Sequence, residues 1–424
     1  MKLQAYHSTL KGNVPIPGSK SHTIRMVTLA ALAQGTSKLH HPLVSADTMA
    51  ALEAYSKFGA DIETTDNLWT ITGTAGRLRA PTDIIDVANS GTTLRFAIGS
   101  ASLIDGTTTL TGDHQICRRP VGPLLQSLNE LGAVCTSENN NNCAPVNIKG
   151  PLKGGATSIE CVTSQYLSSL LINTPLATHD TIITVPLLNE KPYVDITMRY
   201  LDDQNIQYEN QNYKKFLVKG NQSYTSFDSR VPADFSSATF FFCAGAILDA
   251  DLVLEGLDFN DAQGDKAVVD ILKEMGADIK IKSDKVYIRK SQLKGIDIDM
   301  NAIPDALPAL AVTACFASGT TRLYNVAQAR LKETDRIAVM ACELTKMGAK
   351  IEETPDGLII TGSPLHAANL QGHHDHRIVM ALSIAAMNCQ QPSTITTAEA
   401  ISVTFPNYVS LMQTLGAKIN ISDK

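Results

Sequence analysis

Cationic side chains recur where helices are predicted to begin. Lys20 and Arg25 lie in SKSHTIR, Arg95 ends NSGTTLR, and Arg377 lies in HDHRIVM, segments whose Ser, Asn and Asp residues are typical of helix N-termini. A helix N-terminus carries about half a positive charge and free N–H groups, so it attracts anions. Further cations lie in loops before other predicted helices, namely Arg118, Arg119, Lys332 and Arg336. The pattern predicts a site for a phosphorylated or carboxylated small ligand.

Other chemistries have weaker support from the residues. The segment Gly18–Ser21 lacks the first glycine of a G-x-x-x-x-G-K-[ST] phosphate loop. His374 and His376 have no third ligand cluster in the sequence, so we expect no metal. Cys117 could be an activated thiol, but a small buried or half-exposed cysteine is the simpler interpretation. The mixed charges of residues 332–336 could also form an ordinary exposed helix turn.

Composition excludes several classes of protein. The 424 residues carry 36 Lys and Arg against 42 Asp and Glu, so a chain-wide basic surface for nucleic acid or anionic lipid is absent. The eight cysteines form no C-x-x-C pair, which favours a reduced, cytoplasmic location. No apolar run reaches the roughly 18 residues that a membrane span needs. We expect a cytoplasmic monomer of two or three domains, with no nucleic-acid or membrane partner.

A sequence pattern recurs six times at intervals of about 70 residues. Five copies contain a helical run that ends in Gly-Ala and is followed by an alternating strand, with the glycines at 59, 132, 276, 348 and 416. A weaker copy has Asn205 at this position. Glycine can adopt the left-handed conformation that ends a helix. Each copy therefore predicts a helix, a strand, a polar loop, a second helix and a hairpin.

The two ends of the chain are predicted to belong to one domain. The last copy stops after its first hairpin strand, while the chain opens with an unpaired strand candidate at Lys2–His7. We therefore expect the N-terminal strand to complete the sixth copy. This predicts one domain from residues 1–16 with 230–424, containing repeats four to six. Residues 17–229, with repeats one to three, form the other.

Nine segments in this order closely resemble the 5-enolpyruvylshikimate-3-phosphate synthase family over essentially the whole chain. They are PGSKSHTIR, NSGTTLR, RRPVGPL, TSQYLSSLL, KPYVDIT, IPDALPALA, RLKETDRI, HDHRIVMAL and TFPNY. The resemblance implies an α/β (α+β) fold, a two-domain inside-out α/β barrel. It has six βαββαβ-type repeats, three per domain, with helices inside, sheets outside and the active site in the cleft between the domains.

The resemblance also implies a reaction. The enolpyruvyl group of phosphoenolpyruvate is transferred to the 5-hydroxyl of shikimate 3-phosphate and phosphate is released, in the shikimate pathway to chorismate and the aromatic amino acids. No metal or organic cofactor is implied. Asp305 is implied as the base near the 5-hydroxyl and Glu333 as the proton donor to the methylene carbon. Lys20 is implied as a third catalytic residue, which contacts both substrates and could relay a proton.

The remaining site residues follow from the same resemblance. The shikimate 3-phosphate contacts are Lys20, Ser21, Arg25, Thr163, Ser164, Gln165, Asp305, Gln328 and Lys332. The phosphoenolpyruvate contacts are Lys20, Gly91, Arg119, Gln165, Arg336 and Arg377.

Four positions depart from the family pattern. Thr163 and Gln328 replace Ser and Asn of some relatives and could keep equivalent hydrogen bonds. Val403 stands where some members have a lysine that contacts phosphoenolpyruvate, so this contact is absent or supplied elsewhere. Glu190 stands where some members have a small hydroxyl residue at the ligand, and we leave it unassigned.

Two rival functions share some of these features. A UDP-N-acetylglucosamine enolpyruvyl transferase typically has Lys-Asn where this chain has Lys20-Ser21, and its cysteine lies further from Arg-Pro than Cys117 does. Both differences favour shikimate 3-phosphate. A DNA sliding clamp also has repeated helix-and-sheet units, but it needs Lys or Arg facing its hole. The helical runs MVTLAALA and ALPALAVTACFA are apolar instead.

Overall fold

Six four-stranded sheets are present in the part of the chain that the computed structural model describes, residues 1–423. Up to residue 231 the elements are β1 (Lys2–Ala5), β2 (Thr9–Pro15), α1 (Lys20–Leu32), β3 (Thr36–His40), α2 (Ala46–Lys57), β4 (Asp61–Thr64), β5 (Leu68–Thr72), β6 (Ile85–Asp86), α3 (Gly91–Ala101), β7 (Thr107–Thr111), α4 (Gly122–Glu130), β8 (Val134–Ser137), β9 (Val146–Lys149), β10 (Gly155–Cys161), α5 (Ser164–Asn173), β11 (Thr181–Leu188), α6 (Lys191–Asp203), β12 (Tyr208–Gln211), β13 (Lys215–Val218) and β14 (Asp228–Arg230).

The elements that follow are α7 (Phe235–Ile247), β15 (Asp249–Glu255), α8 (Ala267–Glu274), β16 (Asp278–Lys282), β17 (Lys285–Arg289), β18 (Asp297–Asp299), α9 (Leu307–Cys315), β19 (Thr320–Tyr324), α10 (Arg336–Lys346), β20 (Lys350–Thr354), β21 (Gly357–Thr361), β22 (Asn369–Gln371), α11 (His376–Met387), β23 (Ser393–Thr396), α12 (Tyr408–Thr414) and β24 (Ile419–Ser422). Short 3-10 helices include Pro304–Ala306, Ala327–Leu331 and Ala398–Val403.

The sheets share one plan, which the second sheet shows most simply. Its strand order is β6-β7-β9-β8. β6 and β7 are parallel and are joined through α3, while β9 is antiparallel to both β7 and β8. A helix also joins β7 to the final hairpin, so each repeat has an inner and an outer helix. This is the βαββαβ-type repeat that the resemblance implies.

The chain divides into two compact units. We call Gly18–Val231 the continuous unit, because it is one stretch of chain. We call the other the split unit, because it combines Met1–Pro17 with the chain from Pro232 onward. Each unit contains three of the six sheets and its own cluster of buried apolar side chains.

Strands from distant parts of the chain complete three of the sheets. β14 is parallel to β3 in the first sheet, and β2 is parallel to β15 in the fourth. β1 lies between β23 and β24 and is antiparallel to both. The sequence pattern predicts neither β2 nor β14. As a result, the continuous unit is inserted in the chain between β2 and α7 of the split unit.

The inner helices are enclosed on all sides. Every residue of α7 and of α11 is buried, and ten of the eleven residues of α3 are buried. A helix that is apolar all round belongs in a core. The outer helices α4, α8 and α10 instead each have a buried face and an exposed face. The predicted arrangement, with helices inside and sheets outside, is confirmed. Among residues 1–423, no helix is long and apolar enough to span a membrane.

The repeated glycine ends each outer helix as predicted. Its φ angle is 104° at Gly59, 88° at Gly348 and 100° at Gly416. Asn205, the exception in the third repeat, also has a positive φ of 56°. Asparagine tolerates this left-handed conformation better than most residues, which explains why it can replace glycine here.

Candidate active site

In the continuous unit, two guanidinium groups lie beside the start of α3. A Cβ atom placed on Gly91, the first residue of this helix, would lie 2.7 Å from Nη1 of Arg95 and 2.9 Å from Nη1 of Arg119. The same point is 3.8 Å from Oε1 of Gln165. The absence of a side chain at Gly91 thus leaves room beside two guanidinium groups and a helix N-terminus, which we call the Gly91 cradle.

Both arginines of the Gly91 cradle are buried and held by backbone or side-chain oxygens. Arg95 donates from Nη2 to the Pro120 carbonyl at 3.0 Å, and Arg119 donates from Nη2 to Oδ1 of Asn89 at 3.3 Å. Burial lowers the pKa of Arg95, and the nearby charge of Arg119 adds to this effect. Two buried like charges repel each other, so a bound anion would stabilise the cradle.

The start of α1 carries Lys20, Ser21 and Arg25. Nζ of Lys20 lies 3.0 Å from Oδ2 of Asp47 on α2. Arg25 is buried and donates to Oγ1 of Thr197 at 2.8 Å and to the Tyr193 carbonyl at 2.9 Å, both on α6. Burial lowers the pKa of Arg25 to about 10. Arg25 therefore ties α1 to α6 within the continuous unit, while Lys20 is held through a single carboxylate contact.

At the start of α5, three donors meet one carboxylate oxygen. Oε2 of Glu190 accepts hydrogen bonds from Oγ1 of Thr163 at 3.0 Å, from the Ser164 N–H at 3.1 Å and from Oγ of Ser164 at 2.9 Å. Glu190 is 2% exposed. Gln165, next along the helix, donates from Nε2 to Oγ1 of Thr92 at 3.2 Å and so points toward α3.

In the split unit, Arg336 is surrounded by three carboxylates. Its Nε lies 2.8 Å from Oδ2 of Asp375, Nη1 lies 2.8 Å from Oδ1 of Asp305, and Nη2 lies 2.5 Å from Oε2 of Glu333. Arg336 is only 1% exposed. Burial opposes its charge, but the three carboxylates outweigh burial and raise the pKa of Arg336. The guanidinium stays charged in this environment.

Asp305 contacts two further cations. Its Oδ2 lies 3.1 Å from Nη2 of Arg377, and its Oδ1 lies 3.6 Å from Nζ of Lys332. Burial alone would raise the pKa of Asp305, but Arg377, Lys332 and Arg336 overcome this and hold it well below its usual range. We call Asp305, Lys332, Glu333, Arg336, Asp375 and Arg377 the Arg336 cluster. It contains three carboxylates and three cations, so it is formally neutral without a ligand.

Two other predicted positions lie elsewhere in the split unit. Gln328 is buried in the 3-10 helix Ala327–Leu331 and donates from Nε2 to the Asn301 carbonyl at 3.3 Å. Val403, where some relatives have lysine, is the last residue of the 3-10 helix Ala398–Val403 and is partly exposed.

Two carboxylates at these positions were missed by sequence reasoning. Asp47 contacts Lys20, and Asp375 contacts Arg336. Asp375 also caps α11 by accepting a hydrogen bond from the Arg377 N–H at 2.9 Å. The signal for Asp375 was present, because Asp is a favoured N-cap residue. No comparable signal marks Asp47, which lies in the first turn of α2.

Comparison with known proteins identifies the family of the chain. A family model described as EPSP synthase (3-phosphoshikimate 1-carboxyvinyltransferase) matches residues 5–412. Proteins named 3-phosphoshikimate 1-carboxyvinyltransferase are similar to the chain. One from Ruminiclostridium cellulolyticum is 50% identical over 99% of this chain and 100% of its own. One from Acetivibrio thermocellus is 52% identical over 99% of each chain.

A solved structure supports the same conclusion. EPSP synthase from Acinetobacter baumannii has a TM-score of 0.85 and 30% sequence identity to this chain, and the match covers 100% of both. The six-repeat fold, the ordered motifs and these whole-length matches all lead to one family. The chain belongs to the EPSP synthase (3-phosphoshikimate 1-carboxyvinyltransferase) family.

Proposed function

We infer that the chain transfers the enolpyruvyl group of phosphoenolpyruvate to the 5-hydroxyl of shikimate 3-phosphate and releases phosphate. The inference rests on sequence identities of 50% and 52%, over 99% of this chain, with proteins named for this activity. The reaction protonates the methylene carbon of phosphoenolpyruvate, deprotonates an alcohol and passes through a tetrahedral intermediate. It therefore needs an acid and a base beside groups that bind two anions. The Gly91 cradle and the Arg336 cluster offer such groups.

We assign the role of base at the 5-hydroxyl to Asp305. A base must be deprotonated, and the three surrounding cations hold Asp305 in that form. Lys332 and Arg377, which contact it, are also proposed ligand contacts. When anionic substrates share these cations, the pKa of Asp305 rises and the carboxylate becomes a stronger base. Substrate binding thus activates the base.

We assign proton donation to the methylene carbon to Glu333. Its carboxyl group contacts Arg336, which is a proposed contact of phosphoenolpyruvate. To act as the donor this group must first take up a proton, and anionic substrates beside it favour the protonated form. An arginine that binds both the acid and the substrate would position one against the other, because its planar guanidinium offers several donors in fixed directions.

The substrate contacts are assigned within each unit. For phosphoenolpyruvate they are Lys20, Gly91, Arg119 and Gln165 of the continuous unit, and Arg336 and Arg377 of the split unit. For shikimate 3-phosphate they are Lys20, Ser21, Arg25, Thr163, Ser164 and Gln165 of the continuous unit, and Asp305, Gln328 and Lys332 of the split unit. The support is the Gly91 cradle, the donors at the start of α5 and the cations around Asp305.

A phosphate-release assay tests the function. Purified chain with phosphoenolpyruvate and shikimate 3-phosphate should release phosphate, and mass spectrometry should show the mass of one added enolpyruvyl group on shikimate 3-phosphate. Omitting shikimate 3-phosphate is the control and should abolish release. Phosphate release with UDP-N-acetylglucosamine but none with shikimate 3-phosphate would overturn the proposal.

We further propose a cytoplasmic monomer that has no nucleic-acid or membrane partner. The eight cysteines are free thiols, which favours a reduced compartment. Each unit has its own core, and the net charge is −6. Sedimentation of the purified chain at micromolar concentration should give one species near 45.6 kDa, and a dimer would contradict the assignment.

A further inference from the structure

We propose that Glu190 is a specificity-determining residue that competes with the phosphate group of shikimate 3-phosphate for the start of α5. The proposal rests on the proposed function, because it concerns the same donors that we assign to this substrate. It assigns a role to a residue at which the chain departs from the family pattern.

The hydrogen bonds of Glu190 make its carboxylate an internal anion. A single oxygen, Oε2, accepts from Thr163 Oγ1, from the Ser164 N–H and from Ser164 Oγ at 2.9 to 3.1 Å. These are the donors that a helix N-terminus offers to a phosphate oxygen. The carboxylate therefore occupies the place where a ligand anion would bind.

The backbone of Glu190 supports a role at α5 rather than at its own helix. Glu190 is the residue before α6, but its side chain makes no capping hydrogen bond there. Its φ of 58° and ψ of 40° are left-handed, a conformation that residues with long side chains seldom adopt. The chain thus turns the carboxylate away from α6 and toward α5.

Two anions cannot use these donors together. The Ser164 N–H has one hydrogen, so its full hydrogen bond goes either to Glu190 or to the phosphate. The carboxylate would also repel a doubly charged phosphate nearby, and this repulsion is strong in a buried site. Substrate binding must therefore displace Glu190. A small hydroxyl residue at this position would instead leave the donors open.

The test compares Glu190→Ser and Glu190→Gln with the unmodified chain, using calorimetric titration with shikimate 3-phosphate and with shikimate. Glu190→Ser removes the internal anion, and Glu190→Gln keeps the shape and an acceptor without the charge. We expect the Kd for shikimate 3-phosphate to fall about tenfold in Glu190→Ser and about threefold in Glu190→Gln. The Kd for shikimate, which has no phosphate, should change less than about twofold, because the competition concerns the phosphate alone.

A matched control removes the same charge elsewhere in the continuous unit. Glu63 is exposed on β4, so Glu63→Gln should leave both Kd values within about twofold. In steady-state assays, Glu190→Ser should lower KM for shikimate 3-phosphate and leave KM for phosphoenolpyruvate unchanged. Thermal unfolding verifies that each variant is folded. If Glu190→Ser does not fold, Glu190→Gln alone provides the comparison with the unmodified chain.

The outcomes separate this proposal from the proposed function. If both variants bind shikimate 3-phosphate no more tightly than the unmodified chain does, the proposed competition is wrong, but the proposed function is unaffected. Equal tightening for shikimate and shikimate 3-phosphate also overturns it, because the effect would not concern the phosphate. Failure of shikimate 3-phosphate to bind any of the three proteins overturns the proposed function, and the competition with it.

Discussion

Arg336 shows how single residues of the site are prepared for anions. Its guanidinium is buried and is balanced by Asp305, Glu333 and Asp375 at distances of 2.5 to 2.8 Å. A buried cation without such partners would be strongly destabilising. The same carboxylates must yield part of their contacts to incoming ligands. On the proposed function, substrate anions would therefore compete with Asp305, Glu333 and Asp375 for the cations of the Arg336 cluster.

At this scale we predict that Asp305→Asn lowers kcat by about 10²–10⁴, the range expected when a general base is lost. The amide keeps the shape of the carboxyl group but cannot accept the proton. The measurement is the rate of phosphate release with both substrates saturating.

Asp297→Asn is the matched control, because Asp297 is an exposed aspartate on β18 of the same unit. Its kcat should be unchanged, and circular dichroism should show that both variants are folded. An Asp305→Asn enzyme with normal kcat would exclude Asp305 as the base.

Sequence reasoning reached the cations of the site and two of their carboxylate partners, Asp305 and Glu333, but it missed Asp47 and Asp375. Lys20 and Arg336 stand in recognisable segments, whereas their partners Asp47 and Asp375 lie 27 and 39 residues away along the chain. Such pairings depend on how elements pack, which local sequence does not encode. Glu190 was singled out only as a departure, since its contact with α5 depends on a left-handed backbone. The catalytic and binding roles themselves stay predictions.

At the scale of elements, the repeat determined which parts of the fold could be predicted. The glycine that ends each outer helix and the alternating hairpins recur often enough to be recognised, and the predicted fold class is confirmed. β14 was missed because its three residues, Asp228–Arg230, are all exposed and show no alternation. β2 was missed because Gly12 and Pro15 interrupt its pattern, and both residues are unfavourable in regular strands.

β1 contributes strongly to the split unit, and its two faces allow a matched test. Leu3 is fully buried, while the neighbouring Gln4 faces the opposite side and is exposed. We predict that Leu3→Ala lowers the free energy of unfolding of the split unit by about 2–5 kcal/mol, from lost burial and the cavity left behind.

Gln4→Ala should change this free energy by no more than about 0.5 kcal/mol. Urea unfolding measures both. Equal effects of the two substitutions would show that β1 does not pack on the core as described.

At the scale of the whole molecule, the two units differ in continuity. The continuous unit has a complete core and all twelve of its strands within Gly18–Val231. We predict that residues 18–231 expressed alone unfold in one cooperative transition. A shorter fragment, residues 18–226, lacks β14 and the buried Val231 and should have a Tm lower by several degrees.

Calorimetry of the two fragments makes this comparison. An 18–231 fragment without a cooperative transition would show that the continuous unit depends on the rest of the chain.

The position of β1 between β23 and β24 also fixes an order of events during synthesis on the ribosome. Leu3 pairs with Ile395, so β1 cannot form its sheet until a strand almost four hundred residues further along the chain has been synthesised. At about 5–20 residues per second, this delay is roughly 20–80 s. The continuous unit is complete well before then and can fold while the ribosome is still working. The split unit is therefore the last to fold. β1 remains unpaired until the final repeat emerges, whereas β2 can pair as soon as β15 has been made.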